Sequence, residues 1–183
     1  MLSATPFLFL TLLGCLTGTK NSSDCSLNIG ADQAQLGQFY QSIERIQKHV
    51  VDLTSHDDLF LSTEFITIYE HPDIYYPYAI ATILNRGVND TNKQIVIYSM
   101  TKLPDACFLD IVDTCYDHYN QGDVNSDIIL SLIGHNFGKH MKFYESAKTK
   151  KGKDLMRRML NDKKLPNDVL ELLERIGDRE FPS

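Results

Sequence analysis

The stretch that decides the fold is residues 102–115, KLPDACFLDIVDTC, in which a Leu-Pro-Asp start leads directly into apolar residues at helical spacing. Proline is tolerated in the first turn of a helix, where its missing N–H costs little. Phe108 and Ile111 then fall three residues apart, on one side of a helix. Residues 163–177, KKLPNDVLELLERIG, repeat the start, with Leu170 and Leu173 in the matching places. The two stretches predict two helices that each begin just after a proline.

Apolar residues recur at helical spacing along most of the remaining chain, which predicts an all-α fold. The residues around 94–98 include β-branched side chains typical of a strand, but one strand cannot form a sheet alone, so a helix is favoured there as well. At 183 residues the chain suits one core of ordinary size. About eight helices are expected, at residues 32–50, 56–70, 74–86, 90–102, 105–120, 126–147, 152–162 and 167–176.

Pro-Asp or Pro-Asn pairs begin at Pro72, Pro104 and Pro166, with spacings of 32 and 62 residues. These spacings are close to one and two units of a period near 31, although a further copy near His135 is missing. Over about residues 55–177 the pattern resembles the HEAT-type α-helical repeat proteins. The resemblance implies stacked antiparallel helix pairs with an extended binding face, and an irregular helical bundle is the alternative.

The N-terminal residues predict export. Residues 6–16, PFLFLTLLGCL, form an apolar run that is too short to span a bilayer and has the length of a signal-peptide core. Residues 1–19 are therefore interpreted as a signal peptide cleaved near Thr19, or as a lipoprotein signal cleaved before Cys15. In the second case Cys15 carries lipid, since Leu-Leu-Gly-Cys resembles the bacterial lipobox. A linker at 20–30 and a single helical domain at 31–183 follow.

The cellular location has two alternatives. A lipobox predicts a periplasmic protein, lipid-anchored through Cys15. However, residues 1–7 contain no Lys or Arg, which a eukaryotic secretory signal tolerates better than a bacterial one, so extracellular secretion is the alternative. In that case Asn21 and Asn89, which begin Asn-Ser-Ser and Asn-Asp-Thr, are candidate glycosylation acceptors, with chance occurrence of these frequent tripeptides as the alternative.

Cysteine spacing limits the disulfides that an exported chain can form. If residues 105–120 are one helix, Cys107 and Cys115 lie about 12 Å apart along its axis, beyond the roughly 7 Å limit between the Cα atoms of a disulfide. Cys25 is then the expected partner of either Cys107 or Cys115. If the helix begins only after Asp110, Cys107 could reach Cys115 instead.

The predicted helix at 105–120 carries aspartates on one side, and two more follow it. We interpret this acidic face as the binding surface for a protein with a basic surface, with a merely solvated face as the alternative. Its members are Asp110, Asp113, Asp117, Asp123 and Asp127.

Residues 139–164 have the opposite character, with ten Lys or Arg against three Asp or Glu. They are expected to face phospholipid headgroups, a second partner, or the acidic face of another copy in a homodimer; solvation alone is the further alternative. Nucleic acid is not an expected partner of an exported acidic protein, and membrane attachment is expected only through Cys15.

The sequence contains no motif that specifies a reaction. Gly-x-Ser-x-Gly is missing, and His135 and His140 are five residues apart rather than four, so no catalytic residue, metal site or cofactor is predicted. The pattern instead predicts an exported, non-catalytic protein-binding module. The alternative is an exported enzyme or small-ligand carrier whose site combines acidic side chains with His118, His135 and His140.

A second resemblance gives the binding module a concrete form. In size, predicted export, predicted helices and use of cysteine, the chain is similar to the small periplasmic immunity proteins of type VI secretion amidase effectors. This resemblance implies an inhibitor that binds and blocks a cell-wall-degrading effector enzyme, with the Asp110 to Asp127 region as the expected contact.

Overall fold

A computed structural model describes residues 32–50, 56–134, 136–137 and 140–180. These residues confirm the all-α class, with ten helices where about eight were expected and one minimal antiparallel hairpin. The elements are α1 (Gln33–His49), α2 (His56–Leu59), α3 (Thr63–Glu70), α4 (Pro72–Leu84), α5 (Asp90–Ser99), α6 (Asp105–Asn120), α7 (Ser126–Gly134), β1 (Asn136–Phe137), β2 (His140–Met141), α8 (Lys142–Ala147), α9 (Lys150–Leu160) and α10 (Asn167–Glu180).

Polar side chains fix the starts of five of the described helices, α1, α3, α5, α7 and α9. In each, a side-chain oxygen of the preceding residue accepts a hydrogen bond from a backbone N–H group in the first turn; these residues are Asp32, Ser62, Asn89, Asn125 and Thr149. Those N–H groups have no partner within the helix itself, so each cap stabilises its helix by about 1 kcal/mol.

The proline positions are confirmed as helix starts. Pro72 is the first residue of α4, while α6 and α10 begin immediately after Pro104 and Pro166. The strand-like residues around 94–98 lie inside α5, as the helix prediction required. These signals are local, because they act through the backbone of one helical turn.

Two predicted helices are wrong in length. The helix predicted at 126–147 is divided into α7, the β1–β2 hairpin and α8, and the one predicted at 56–70 is divided into α2 and α3. The first division comes directly after Gly134, and glycine weakens a helix. A Cβ atom at this position would lie 2.9 Å from Leu172 Cδ2 of α10, so glycine also permits that close approach. The second precedes Ser62, whose side chain caps α3.

The helices enclose one hydrophobic core. In the N-terminal half α1 packs on α3, α4 and α5, and in the C-terminal half α6 packs on α7, α8 and α9, while α10 packs on α7 and α9. Contacts of α4 with α6 and of α5 with α7 join the halves. The largest fully buried side chains, including Phe65, Phe108 and Phe143, come from both halves. No helix of the described residues combines the length and apolar character needed to cross a membrane.

Candidate functional site

Three of the five aspartates predicted to bind a partner already face basic side chains of α9. Asp110 accepts a hydrogen bond from Lys151, and Arg158 donates to Asp113 and, over 3.3 Å, to Asp117. The basic segment near the C-terminus therefore meets the acidic side of α6 within the same chain. These three carboxylates do not form the open acidic surface that their spacing on α6 predicted.

The other two aspartates lie elsewhere in the fold. Asp123 accepts hydrogen bonds from Arg86 and, over 3.0 Å, from His118 Nδ1. The hydrogen bond from Arg86, followed by that from His118, lowers the pKa of Asp123. Asp127 lies in the first turn of α7, where the helix dipole favours a carboxylate. The five residues are thus divided between two local ion-pair groups and one helix start.

An open groove of about 550 Å³ follows the contact between α6 and α9. Its charges are mixed, and Lys151 and Arg158 within it are already paired with aspartates of α6. An ionic ligand would therefore have to compete with these internal pairs. The groove is lined by Asp113, Lys150, Lys151, Asp154, Leu155 and Arg158.

The cysteine and histidine on α6 do not form a nucleophilic pair. Cys115 is a free thiol that is almost completely buried, and burial raises its pKa to about 12. The thiol is therefore protonated at neutral pH, whereas the thiolate is the reactive form. His118, three residues later, makes its described contact with Asp123 instead.

Two of the three disulfide pairings considered from the sequence do not fit the structure. Because α6 is continuous from Asp105 to Asn120, Cys107 cannot reach Cys115 by a late helix start. Cys115 is free, which contradicts the alternative in which it pairs with Cys25. Cys25 itself and the predicted lipidation site, Cys15, lie outside the described residues.

The histidine site proposed for an enzyme or ligand carrier lies mostly outside the described side chains. His135 is not described, and only the backbone of His140 is described, in β2. Within the described residues, no group of three or more His, Cys, Asp or Glu side chains could hold a metal ion. This alternative stays a prediction.

The structure shows a surface that the sequence analysis did not identify. Of the residues whose exposure is described, the large apolar side chains that remain exposed all lie between residues 60 and 74. Leu61 is 81% exposed and Ile74 is 60% exposed, values that leave most of each side chain in water. We call the four residues the 60–74 surface: Phe60, Leu61, Ile66 and Ile74.

The 60–74 surface has a packed aromatic base. The ring of Phe60 lies edge-on to Phe65 and Tyr69, with ring centres 5.4 and 5.1 Å apart. Phe65 is fully buried, and Lys102 Nζ lies 4.4 Å above the centre of the Tyr69 ring. Edge-on aromatic contacts of this kind stabilise the packing beyond simple burial. The rings of Phe65 and Tyr69 therefore fix the position of the Phe60 ring.

The segment of sequence that carries this surface is acidic. Residues 49–85 contain no Lys or Arg. Glu64 pairs with Arg45 over 3.1 Å and Glu70 with Lys102 over 2.6 Å, and both basic partners come from outside that segment. Asp73, in the first turn of α4, is exposed. The segment has six acidic residues: Asp52, Asp57, Asp58, Glu64, Glu70 and Asp73.

One sequence signal could have found this surface. Residues 49–85 lack Lys and Arg, whereas residues 139–164 are strongly basic. The sequence pattern, however, predicted one helix at 56–70, whereas the break before Ser62 leaves Leu61 in the turn between α2 and α3.

Comparison with known proteins found no similar protein. No protein-family model matches the chain, and no characterised protein or solved structure shows significant similarity to it. The function is therefore argued from the chain's own surface and chemistry.

Proposed function

We propose that this protein is an exported, non-catalytic module that binds another protein through the 60–74 surface. The observation that carries the proposal is that, among residues whose exposure is described, the exposed large apolar side chains all lie in this one segment. Burying a Leu or Ile side chain completely stabilises a complex by about 1.5–3 kcal/mol. A few residues usually carry most of the energy of an interface. Leu61 and Ile74 are the principal contacts in this proposal.

The partner proposed for this surface has basic groups around an apolar centre. The acidic segment at 49–85 favours that complementarity, because opposite charges around a contact speed association and reject like-charged molecules. The basic partner expected from the sequence is thus retained, but its contact moves from α6 to α2–α4. Glu64 and Glu70 are paired with Arg45 and Lys102, just as aspartates of α6 are paired with Lys151 and Arg158. The choice between the two surfaces therefore rests on the exposed apolar side chains and not on charge.

The most concrete form of the proposal is an immunity or inhibitor protein that binds and blocks a secreted effector enzyme. The apolar run at 6–16 and the helical fold support this form. A HEAT-like arrangement of the helices belongs to the same proposal and is supported by the helices that begin at Pro72, Pro104 and Pro166. Signal cleavage, lipid at Cys15 and periplasmic or extracellular location stay predictions.

We also propose that an exported form of the chain joins Cys25 to Cys107. Supporting this pairing, Cys115 is a free buried thiol, and Cys107 is partly buried near the start of α6. Digestion of the non-reduced exported protein followed by mass spectrometry should yield a peptide pair linked through these two cysteines. A pair that contains Cys15 or Cys115 would contradict it.

The binding proposal is tested by comparing variants of the 60–74 surface with variants of the acidic side of α6. Chemical cross-linking in the exported fraction of the native cells identifies the partner, and titration of the purified partner measures affinity. The variant L61S/I74S should weaken binding at least tenfold per side chain, about 1.4 kcal/mol each. The matched variant D113N/D117N, on the acidic side of α6, should bind as the unmodified protein does.

Two results would redirect the proposal. If D113N/D117N loses the partner and L61S/I74S keeps it, the acidic face of α6 is the binding surface. Light scattering covers the homodimer alternative: a dimer that L61S/I74S converts to a monomer would mean that the 60–74 surface binds a second copy of this chain.

A further inference from the structure

The turn between α4 and α5 contains an asparagine whose side chain caps a helix. Asn89 begins the sequence Asn-Asp-Thr and is exposed. Its Oδ1 accepts a hydrogen bond of 2.8 Å from the backbone N–H of Asn92, which caps α5. The cap uses only the oxygen of the amide, so the nitrogen, Nδ2, is left for other chemistry.

The turn itself is well defined. Asn85 Oδ1 accepts a hydrogen bond of 2.8 Å from Gly87 N–H, and the Asn85 carbonyl accepts one of 3.1 Å from Val88 N–H. On the far side, Asp90 accepts a hydrogen bond from Asn125. These contacts hold Asn89 at the surface rather than folding it into the core.

We propose that Asn89 is N-glycosylated when the chain enters a eukaryotic secretory pathway. Nδ2 forms a bond to the anomeric carbon of a lipid-pyrophosphate-linked oligosaccharide. The bond from that carbon to the pyrophosphate oxygen breaks, and the proton lost from Nδ2 balances the charge of the leaving group. The product keeps its amide oxygen, so Oδ1 still caps α5 and the modification preserves the local fold.

The surroundings have room for the sugar. An open groove of about 280 Å³ borders Asn89 between α1 and the α4–α5 turn. Tyr40 lines it, and its hydroxyl accepts a hydrogen bond of 3.1 Å from Asn85 Nδ2, which leaves the Tyr40 O–H proton able to donate to a sugar oxygen. Asn89 therefore satisfies the sequence, exposure and space that the modification requires.

This inference rests on the proposed export and commits it to the extracellular alternative. The full chain is expressed in cultured eukaryotic secretory cells as the variant N21Q, which removes the other acceptor sequence, Asn-Ser-Ser at residues 21–23. Culture medium and cells are then compared before and after treatment with peptide N-glycosidase. The expected result is secreted protein with one glycan, seen as one mobility step that the enzyme removes.

Matched variants assign the glycan to Asn89. N21Q/T91S keeps the acceptor sequence and should keep the glycan, whereas N21Q/T91A destroys it and should lose the glycan. N21Q/N89D also loses it, while its carboxylate still caps α5, so secretion should be unchanged. Loss of the glycan in these variants is then not a consequence of misfolding.

The possible failures are distinguishable. Secreted N21Q protein without a glycan would overturn the proposal for Asn89 and leave export standing. Protein that stays in the cell and is accessible to protease outside the microsomes would overturn both the glycosylation of Asn89 and the proposed export. A glycan that persists in N21Q/T91A would place the modification at another residue and likewise overturn the proposal.

Discussion

Lys142, the first residue of α8, donates a hydrogen bond of 2.7 Å to Asp105, the first residue of α6. Ser146 donates a second one, of 3.0 Å, to the same carboxylate oxygen. The Lys142 side chain is only 18% exposed, against 48% for Arg158 in the pairs between α6 and α9. Asp105 is 42% exposed and Asp113 is 35% exposed, so only the cation of the α6–α8 pair is the more sheltered. The partly buried Lys142 makes this pair the better candidate for a contribution to stability.

Replacing Lys142 by Met should lower the free energy of unfolding by about 1–2 kcal/mol, because a charged hydrogen bond is lost while the carboxylate stays partly buried. Urea unfolding at pH 7 measures the change. The control K148M removes an exposed pair with Glu145 inside α8 and should cost less than about 0.5 kcal/mol. Equal losses in the two variants would show that the α6–α8 contact has no special role.

The contact between Asp105 and Lys142 also predicts how stability changes at acid pH. Burial raises the pKa of Asp105, but hydrogen bonds from Lys142 and Ser146 outweigh it, so the pKa lies below its usual value. A lowered pKa stabilises the fold above the unfolded-state pKa of about 3.9, and this contribution is lost as the pH falls further. The variant D105N should therefore lose less stability than the unmodified protein between pH 5 and about 3. Parallel curves for the two proteins would refute the assignment.

Gly152 and Gly37 form a matched pair for testing how closely the helices pack. A Cβ atom at Gly152 would lie 2.6 Å from Ala147 Cα and also meet the Ser146 carbonyl, whereas at Gly37 nothing lies within 4 Å. G152A should destabilise the protein by about 1–3 kcal/mol or more, because the obstacle is backbone. G37A should stabilise it by about 0.5–1 kcal/mol, since alanine favours a helix.

Thermal unfolding of the two glycine variants gives opposite signs if the packing of α8 on α9 is correct. Stabilisation by G152A would mean that the backbones of these helices are farther apart than the structure has them. Both variants replace glycine by alanine inside a helix, so the intrinsic preference of alanine for helices contributes equally to both. The difference between them therefore reports packing alone.

Sequence signals predicted the helix starts well because those signals are local. Pro72, Pro104 and Pro166 restrict the backbone on their own, wherever the helix packs. The end of α7 is different, because Gly134 lies where its backbone meets Leu172 of α10, a contact that no nearby residue reveals. Helices were thus predictable from periodicity, while the division of 126–147 required tertiary structure.

The candidate site was less predictable for the same reason. Spacing correctly placed Asp110 and Asp113 on one side of α6, but it could not show that Lys151 and Arg158 of α9 would pack beside them. Exposure of Leu61 depended on where α2 ends, a boundary that periodicity does not define precisely. The positions of the charged residues on α6 were predictable, but the ion pairs that they form with α9 were not.

Cys115 should be unreactive in the folded protein, because burial raises its pKa to about 12 and excludes reagent. Thiol-specific alkylation at pH 8 should leave Cys115 unlabelled in the native protein and label it after unfolding in urea. Mass spectrometry of the Cys115 peptide separates it from the other cysteines. Rapid native labelling would contradict the buried thiol.

Cys115 also predicts an alkaline loss of stability. The thiol of the unfolded chain ionises near pH 8.5 while the folded one stays protonated, so stability is complete below that pH and falls as the pH rises toward 12. By pH 10 the loss is about 2 kcal/mol. The variant C115A lacks this dependence, so its stability relative to the unmodified protein should rise between pH 8 and 10. An unchanged difference would mean that the thiol is not buried in solution.

Arg158 and Asp113 should contribute little to holding α9 on α6, although they form an ion pair. Their side chains are 48% and 35% exposed, and such pairs typically contribute less than about 1 kcal/mol. A double-mutant cycle with R158A and D113N, measured by urea unfolding, should give a coupling in that range that decreases when salt is raised. In contrast, M159A, which removes a fully buried side chain of α9, should cost about 2–5 kcal/mol. A coupling above about 2 kcal/mol that persists in 1 M salt would mean that charge, rather than apolar packing, fixes α9 against α6.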